Sequence, residues 1–154
     1  MRKMIPEIFD DVVHAKTKAE KIEIFRKNDS PALQYILNAA FNPEYEWDLP
    51  EGAPPFKTDR NIPKGYQGAQ LASEARLLYL YEKKCTKINR FKKETHFIGM
   101  LEALHWTEAD FMIKVKDREI SKFYKGVTAA LVKEAFPKLN VEKPKAKVDE
   151  EPKT

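Results

Sequence analysis

One cysteine and five glycines stand in 154 residues, and each scarcity closes off a class of reading. A lone Cys85 excludes an intrachain disulfide and any multi-thiolate metal site, and it fits a reducing compartment. Among so few glycines no G-x-x-x-x-G-K-[ST], G-x-G-x-x-G or G-x-S-x-G occurs. The phosphate cradles of nucleotide-binding folds and the nucleophile elbow of hydrolases are therefore absent. No apolar run approaches the roughly 18 residues needed to cross a bilayer. The opening MRKMIPEIFDDVV turns acidic where a secretory signal needs an apolar centre, so a soluble, cytoplasmic protein with no membrane contact is expected. His14, His96 and His105 do not fall at i, i+4 and form no recognisable ligand set. The adjacent carboxylates Asp10-Asp11 and Glu150-Glu151 point apart on a helix or lie in a polar tail, which disfavours paired acid–base work. The expectation is a protein with no catalytic site, no cofactor and no metal.

What is present is helical periodicity. Apolar residues make up 42% of the chain, enough for one domain with a real core. Pro6 opens a helix to Ala15 carrying Ile5, Ile8, Phe9, Val12 and Val13 on one stripe. Thr17-Lys18-Ala19-Glu20 has the T-x-x-E form of a capping box. Ser30-Pro31 caps a third helix that Asn42-Pro43 stops. From Asn42 to Gln67, with five of the ten prolines, no period survives. Tyr45, Trp47, Leu49, Phe56, Ile62 and Tyr66 give this loop anchors that a flexible linker lacks, so it reads as a strap across the helices. Helices follow over 68–83, over 91–105 with Phe97, Ile98, Leu101 and Leu104 inward, and from a cap at Thr107 onward. The last runs from Ala129 to Phe136, with Thr128 as N-cap and Pro137 as terminator. The fold class is all-α: a single domain over 1–139, followed by a disordered charged tail over 140–154.

The formal charge of +4 is unevenly spread. Residues 1–66 carry ten Lys/Arg against eleven Asp/Glu, whereas 67–139 carry fourteen against nine. Lys83, Lys84, Lys87, Arg90, Lys92 and Lys93 form one run with no acid among them. Lys114, Lys116, Arg118, Lys122 and Lys125 form a second, opposed by Asp117 and Glu119. The second run leads to Gly126 and Thr128, where free amides at a helix start and nearby lysines make an anion site.

The stretch KAEKIEIFRKNDSPALQYILNAAF, the poorly structured crossing segment, the central helix pair and the late turn ending in Gly126, Val127, Thr128, Pro137 and Leu139 resemble one known domain. It is the N-terminal helical DNA-binding domain of T-even-type phage ATP-dependent DNA ligases. SPALQYIL, LPEGAPPF and FIGMLEALH also resemble a group of small uncharacterised proteins of T-even-like phages and cyanophages. The ligase resemblance implies duplex DNA held through its phosphate backbone without sequence preference. It implies contacts from Lys122, Lys125, Gly126 and Thr128, with Lys116 and Arg118 nearby, and the run of Lys87, Arg90, Lys92 and Lys93 extends the basic face. It also implies the cytoplasm of an infected host as the location. Lys57-Thr58-Asp59-Arg60 lacks the glycine of the ligase K-x-D-G motif, so no ligase activity is expected. The expected function is that of a non-catalytic accessory protein. A second reading is an adaptor or inhibitor binding a replication or transcription protein, motivated by IPEIFDDVV, the aromatic loop around Trp47 and Phe56, and the bipolar tail. A third is a minor virion component.

Overall fold

The computed structural model describes residues 3–64 and 66–141. Among them there are helices and no strands, with one isolated antiparallel bridge between Trp47 and Glu82. Local sequence sets most helix starts. In α1 (Ile5–His14) the Glu7 carboxylate accepts the Met4 amide at 2.9 Å. In α2 (Lys18–Lys27) the Thr17 hydroxyl accepts the Glu20 amide at 3.2 Å. Glu20 reaches back to the Lys16 amide at 3.0 Å, one residue further than a capping box prescribes. Ser30 caps α3 (Pro31–Phe41) by accepting from Leu33 at 3.1 Å. None of these bonds crosses more than one turn, which is why they are readable from the sequence.

The helix expected over 68–83 is a correction. A short α4 (Leu71–Glu74) passes directly into a 3-10 helix, Ala75–Tyr81. Ala75, Leu78 and Tyr81 are its buried residues, spaced by three, and a helix of three residues per turn stacks them in one row against the core. An α-helix would rotate that row away from α3. The helix expected over 91–105 is α5 (Arg90–Ala103), with Phe97 and Leu101 inward as expected but Lys93 and Met100 buried beside them and Ile98 only half-buried. In α6 (Trp106–Lys116) the cap is His105, not Thr107, its ring nitrogen accepting the Thr107 amide. The short α7 (Ile120–Phe123) and α8 (Ala129–Ala135) complete the order.

Two aromatic clusters hold the layers together. Phe9 meets Phe25, Phe111 and Tyr124 edge-on, with ring centroids at 5.5, 4.8 and 5.7 Å, which ties α1 to α2, to α6 and to the end of α7. Tyr45, Trp47, Tyr81 and Phe97 form the second, with centroids 5.0 to 6.5 Å apart, and join the crossing loop to the 3-10 helix and α5.

That loop is a strap, as its anchors predict. The Tyr45 hydroxyl donates to the Leu78 carbonyl and the Trp47 indole to the Ala39 carbonyl. Further along, the Glu102 carboxylate accepts the Lys57 amide, and His105 Nε2 lies 3.1 Å from the Ile62 carbonyl. Val141 is fully buried in the core, two residues beyond the expected domain end at 139. The rest of the expected tail lies outside the described residues.

Candidate nucleic-acid interface

The two basic runs divide into residues turned inward and residues left in solvent. Lys93 is buried, and its ammonium donates to Asp48 at 2.9 Å and to the Glu82 carbonyl at 2.7 Å. Lys116 is buried too, donating to the carbonyls of Pro50 and Gly52 at 2.8 and 3.0 Å and to Asp117 at 2.5 Å. Asp117 in turn accepts the Gly52 amide at 3.1 Å. Arg118, in the left-handed region at φ 58°, keeps an exposed side chain, but one guanidinium nitrogen donates to the Tyr45 carbonyl. The expectation that Lys93 and Lys116 contact phosphates is therefore corrected. Both are clamps on the strap, because its carbonyls and Asp48 need internal donors where water is excluded. Arg118 shares that work with its one bonded nitrogen.

Helical phase could have found these residues. Lys93 occupies the stripe continued by Phe97, Leu101 and Leu104, and Lys116 the stripe of Glu108 and Met112. A charged residue in phase with buried apolar ones signals an internal partner.

The other members of both runs remain outside. Lys122, Lys125, Gly126 and Thr128 are exposed, and Lys114 is half-buried. Phe123 is 50% exposed, with the Lys114 and Lys122 ammonium groups 4.6 and 5.8 Å from its ring centroid. The phenol of Tyr124 behind it is pushed up to about 12, mainly by burial and then by Asp10 and Asp110. Lys114, Lys122 and Lys125 make no ion pair among the described residues. Thr128 caps α8, accepting the Leu131 amide at 3.2 Å as the sequence predicts. With seven residues, α8 is less than two turns long, so positive potential here comes from lysines and not from a helix dipole.

Sequence reasoning missed Lys21. Its ammonium from α2 lies 2.6 Å from where a Cβ on Gly126 would stand, with Gly126 at φ +90°. Packing between α2 and α8 produces this approach: Arg26 donates to the Ala135 and Glu134 carbonyls at 3.1 and 3.0 Å and closes the end of α8. Gly126→Ala should lower stability by about 1–2 kcal/mol, because the Lys21 side chain can swing aside but the backbone strain cannot. Urea unfolding of the two proteins measures it.

In the first run Lys83, Lys84, Lys87, Arg90 and Lys92 are exposed. Arg90 lies 3.8 Å from Asp48 and 3.7 Å from Glu94, and Lys84 lies 3.8 Å from Glu82. Lys83, Lys87 and Lys92 have no ion pair among the described residues.

The features that motivated a protein-binding reading sit differently from their expectation. Ile5, Ile8, Phe9 and Val12 of IPEIFDDVV are buried in the core. Trp47 and Phe56 are half-buried and packed against it. Neither is a free apolar surface. Among the described residues no group of three His, Cys, Asp or Glu could hold a metal ion, and no helix is long and apolar enough to cross a membrane. The histidines have structural partners: His14 the Asp10 carbonyl, His96 the Tyr81 hydroxyl, His105 the Thr107 hydroxyl.

No curated protein and no solved structure matches the chain. A family of unknown function, DUF6433, matches residues 8–122, a range from α1 into α7 that includes the strap, its clamps and the first basic run. Nothing in that match links the chain to phage DNA ligases, so the ligase resemblance rests on the residue pattern alone. Because the match covers most of its length, the chain belongs to the DUF6433 family.

Proposed function

We propose that this protein is a non-catalytic phage accessory protein that binds duplex DNA through its phosphate backbone, without sequence preference. The observation that carries the reading is the group of Lys21, Lys114, Lys122 and Lys125 around Gly126 and Phe123, none of them in an ion pair among the described residues. Unneutralised ammonium groups suit a phosphate backbone, since each contact releases condensed counterions and needs no base edge. Thr128 and Gly126 are exposed beside these lysines, and the resemblance to the ligase domain points to the same ligand.

Lys122→Glu with Lys125→Glu tests it. Anisotropy of a labelled duplex at two salt concentrations should show weaker binding and a log–log salt slope smaller by about 2. Both side chains are exposed, so far-ultraviolet circular dichroism should be unchanged. Equal duplex binding by wild type and the double variant, or binding insensitive to salt, would overturn the reading and turn attention to a protein partner.

A further inference from the structure

Phe91 is 75% exposed in the first turn of α5, and Tyr79 is 45% exposed in the 3-10 helix, with the Lys87 ammonium 5.1 Å from its ring centroid. Phe91 has no ring or cation partner among the described residues. Phe91 lies inside the acid-free segment KKCTKINRFKK, which begins four positions after Tyr79. The carboxylates that border it are already engaged: Asp48 by Lys93 and Arg90, Glu82 by Lys84, Glu94 by Arg90. The exposed Glu46, whose backbone carbonyl takes the Lys83 amide, and Glu74, whose charge reaches Tyr81, make no ion pair among the described residues. Lys83, Lys87 and Lys92 are left unneutralised beside two rings in water.

We propose that this face, formed by the 3-10 helix, the connection after it and the start of α5, binds single-stranded nucleic acid. Bases stack on Phe91 and Tyr79, and phosphates lie on Lys83, Lys87 and Lys92. Phosphate contacts alone need no exposed ring, and a paired, stacked duplex offers no base face to one, so rings interleaved with lysines select unpaired bases. The scale fits. Lys87 and Phe91 stand four positions apart, at most about 14 Å of chain, or roughly four stacked nucleotides at ~3.4 Å each. The inference rests on the reading above only in requiring a polyanion, and it uses different residues.

The test is anisotropy of the full chain with labelled oligo-dT, oligo-U and a blunt duplex of equal length. Binding of either single strand supports the proposal. Phe91→Ala should weaken that binding about tenfold, the loss expected for one stacked base, while leaving the duplex unaffected. Phe91→Trp should retain it. The Lys122/Lys125 variant should do the reverse, so the two proposals fail separately. The inference is overturned if neither single strand binds, if Phe91→Ala binds it as wild type does, or if the duplex weakens equally. A change in sedimentation without one in oligonucleotide binding would assign Phe91 to a protein contact and overturn it as well.

Discussion

Asp48→Ala should lower the unfolding free energy by about 3–5 kcal/mol, which for a chain of this size means a melting temperature lower by roughly 6–20 °C. The effect follows from what the substitution leaves behind. The Lys93 side chain is 2% exposed, and without Asp48 its ammonium keeps only the Glu82 carbonyl at 2.7 Å. A buried charge that has lost its counter-charge cannot rehydrate without opening the strap, whose Asp48 amide donates to the Tyr81 carbonyl and whose Glu46 carbonyl accepts the Lys83 amide. Lys93→Met should cost less, about 1–3 kcal/mol, because the abandoned carboxylate lies near the surface with Arg90 3.8 Å away. The double variant should recover most of the loss of Asp48→Ala, since a buried ion pair replaced on both sides by apolar groups is often near neutral. Thermal melts of the four proteins measure the cycle. Asp48→Ala within 1 kcal/mol of wild type would refute the clamp. Lys93→Met should also leave the salt slope of DNA binding unchanged, which separates an internal lysine from a phosphate contact.

That lysine marks the boundary of what the sequence makes legible. Thr17, Ser30 and Thr128 are predicted caps because each acts on an amide three residues ahead, within reach of local reasoning. The strap is legible as a loop with anchors, since prolines break the period while aromatics demand burial. The 3-10 helix is not, because Ala75, Leu78 and Tyr81 satisfy an α-helical stripe as well as a three-residue row. Contact with α3 decides between them. The basic runs are legible as runs, but composition counts Lys93 and Lys116 with their solvated neighbours. Helical phase would have separated them. Lys21 could not be found in this way, because its approach to Gly126 joins two helices about a hundred positions apart and depends on how α8 lies on α2.

Glu108→Gln should make the protein more stable at alkaline pH and nearly indifferent at acidic pH, and that dependence identifies what the buried carboxyl does. Glu108 stands in the first turn of α6, fully inside, and accepts the Leu71 amide that begins α4 at 3.2 Å. It thereby joins α6 to the segment that becomes the 3-10 helix. Burial pushes its carboxyl up to about 7, against the pull of the Leu71 amide and with a smaller push from Glu7. The folded state thus holds this proton more tightly than the unfolded chain does. Glu108's contribution is complete below about pH 4.5 and is lost as pH rises through about 7, a total of about 3 kcal/mol. Glutamine keeps an acceptor for the Leu71 amide and cannot ionise, so it should match wild type near pH 4 and exceed it by about 3 kcal/mol near pH 9. Glu7 titrates in the opposite sense, its carboxyl held low by Lys64 and the Met4 amide, so acid removes the stability it supplies. It is common to both proteins and cancels in the comparison. Urea unfolding at the two pH values measures the difference, and an offset independent of pH would show that Glu108 does not change its charge across this range. The affected seam begins the segment that carries Tyr79 and leads to the lysines after it, so alkaline loosening of α4 should weaken oligo-dT binding more than the duplex binding proposed for Lys122 and Lys125. Glu108→Gln should remove that difference.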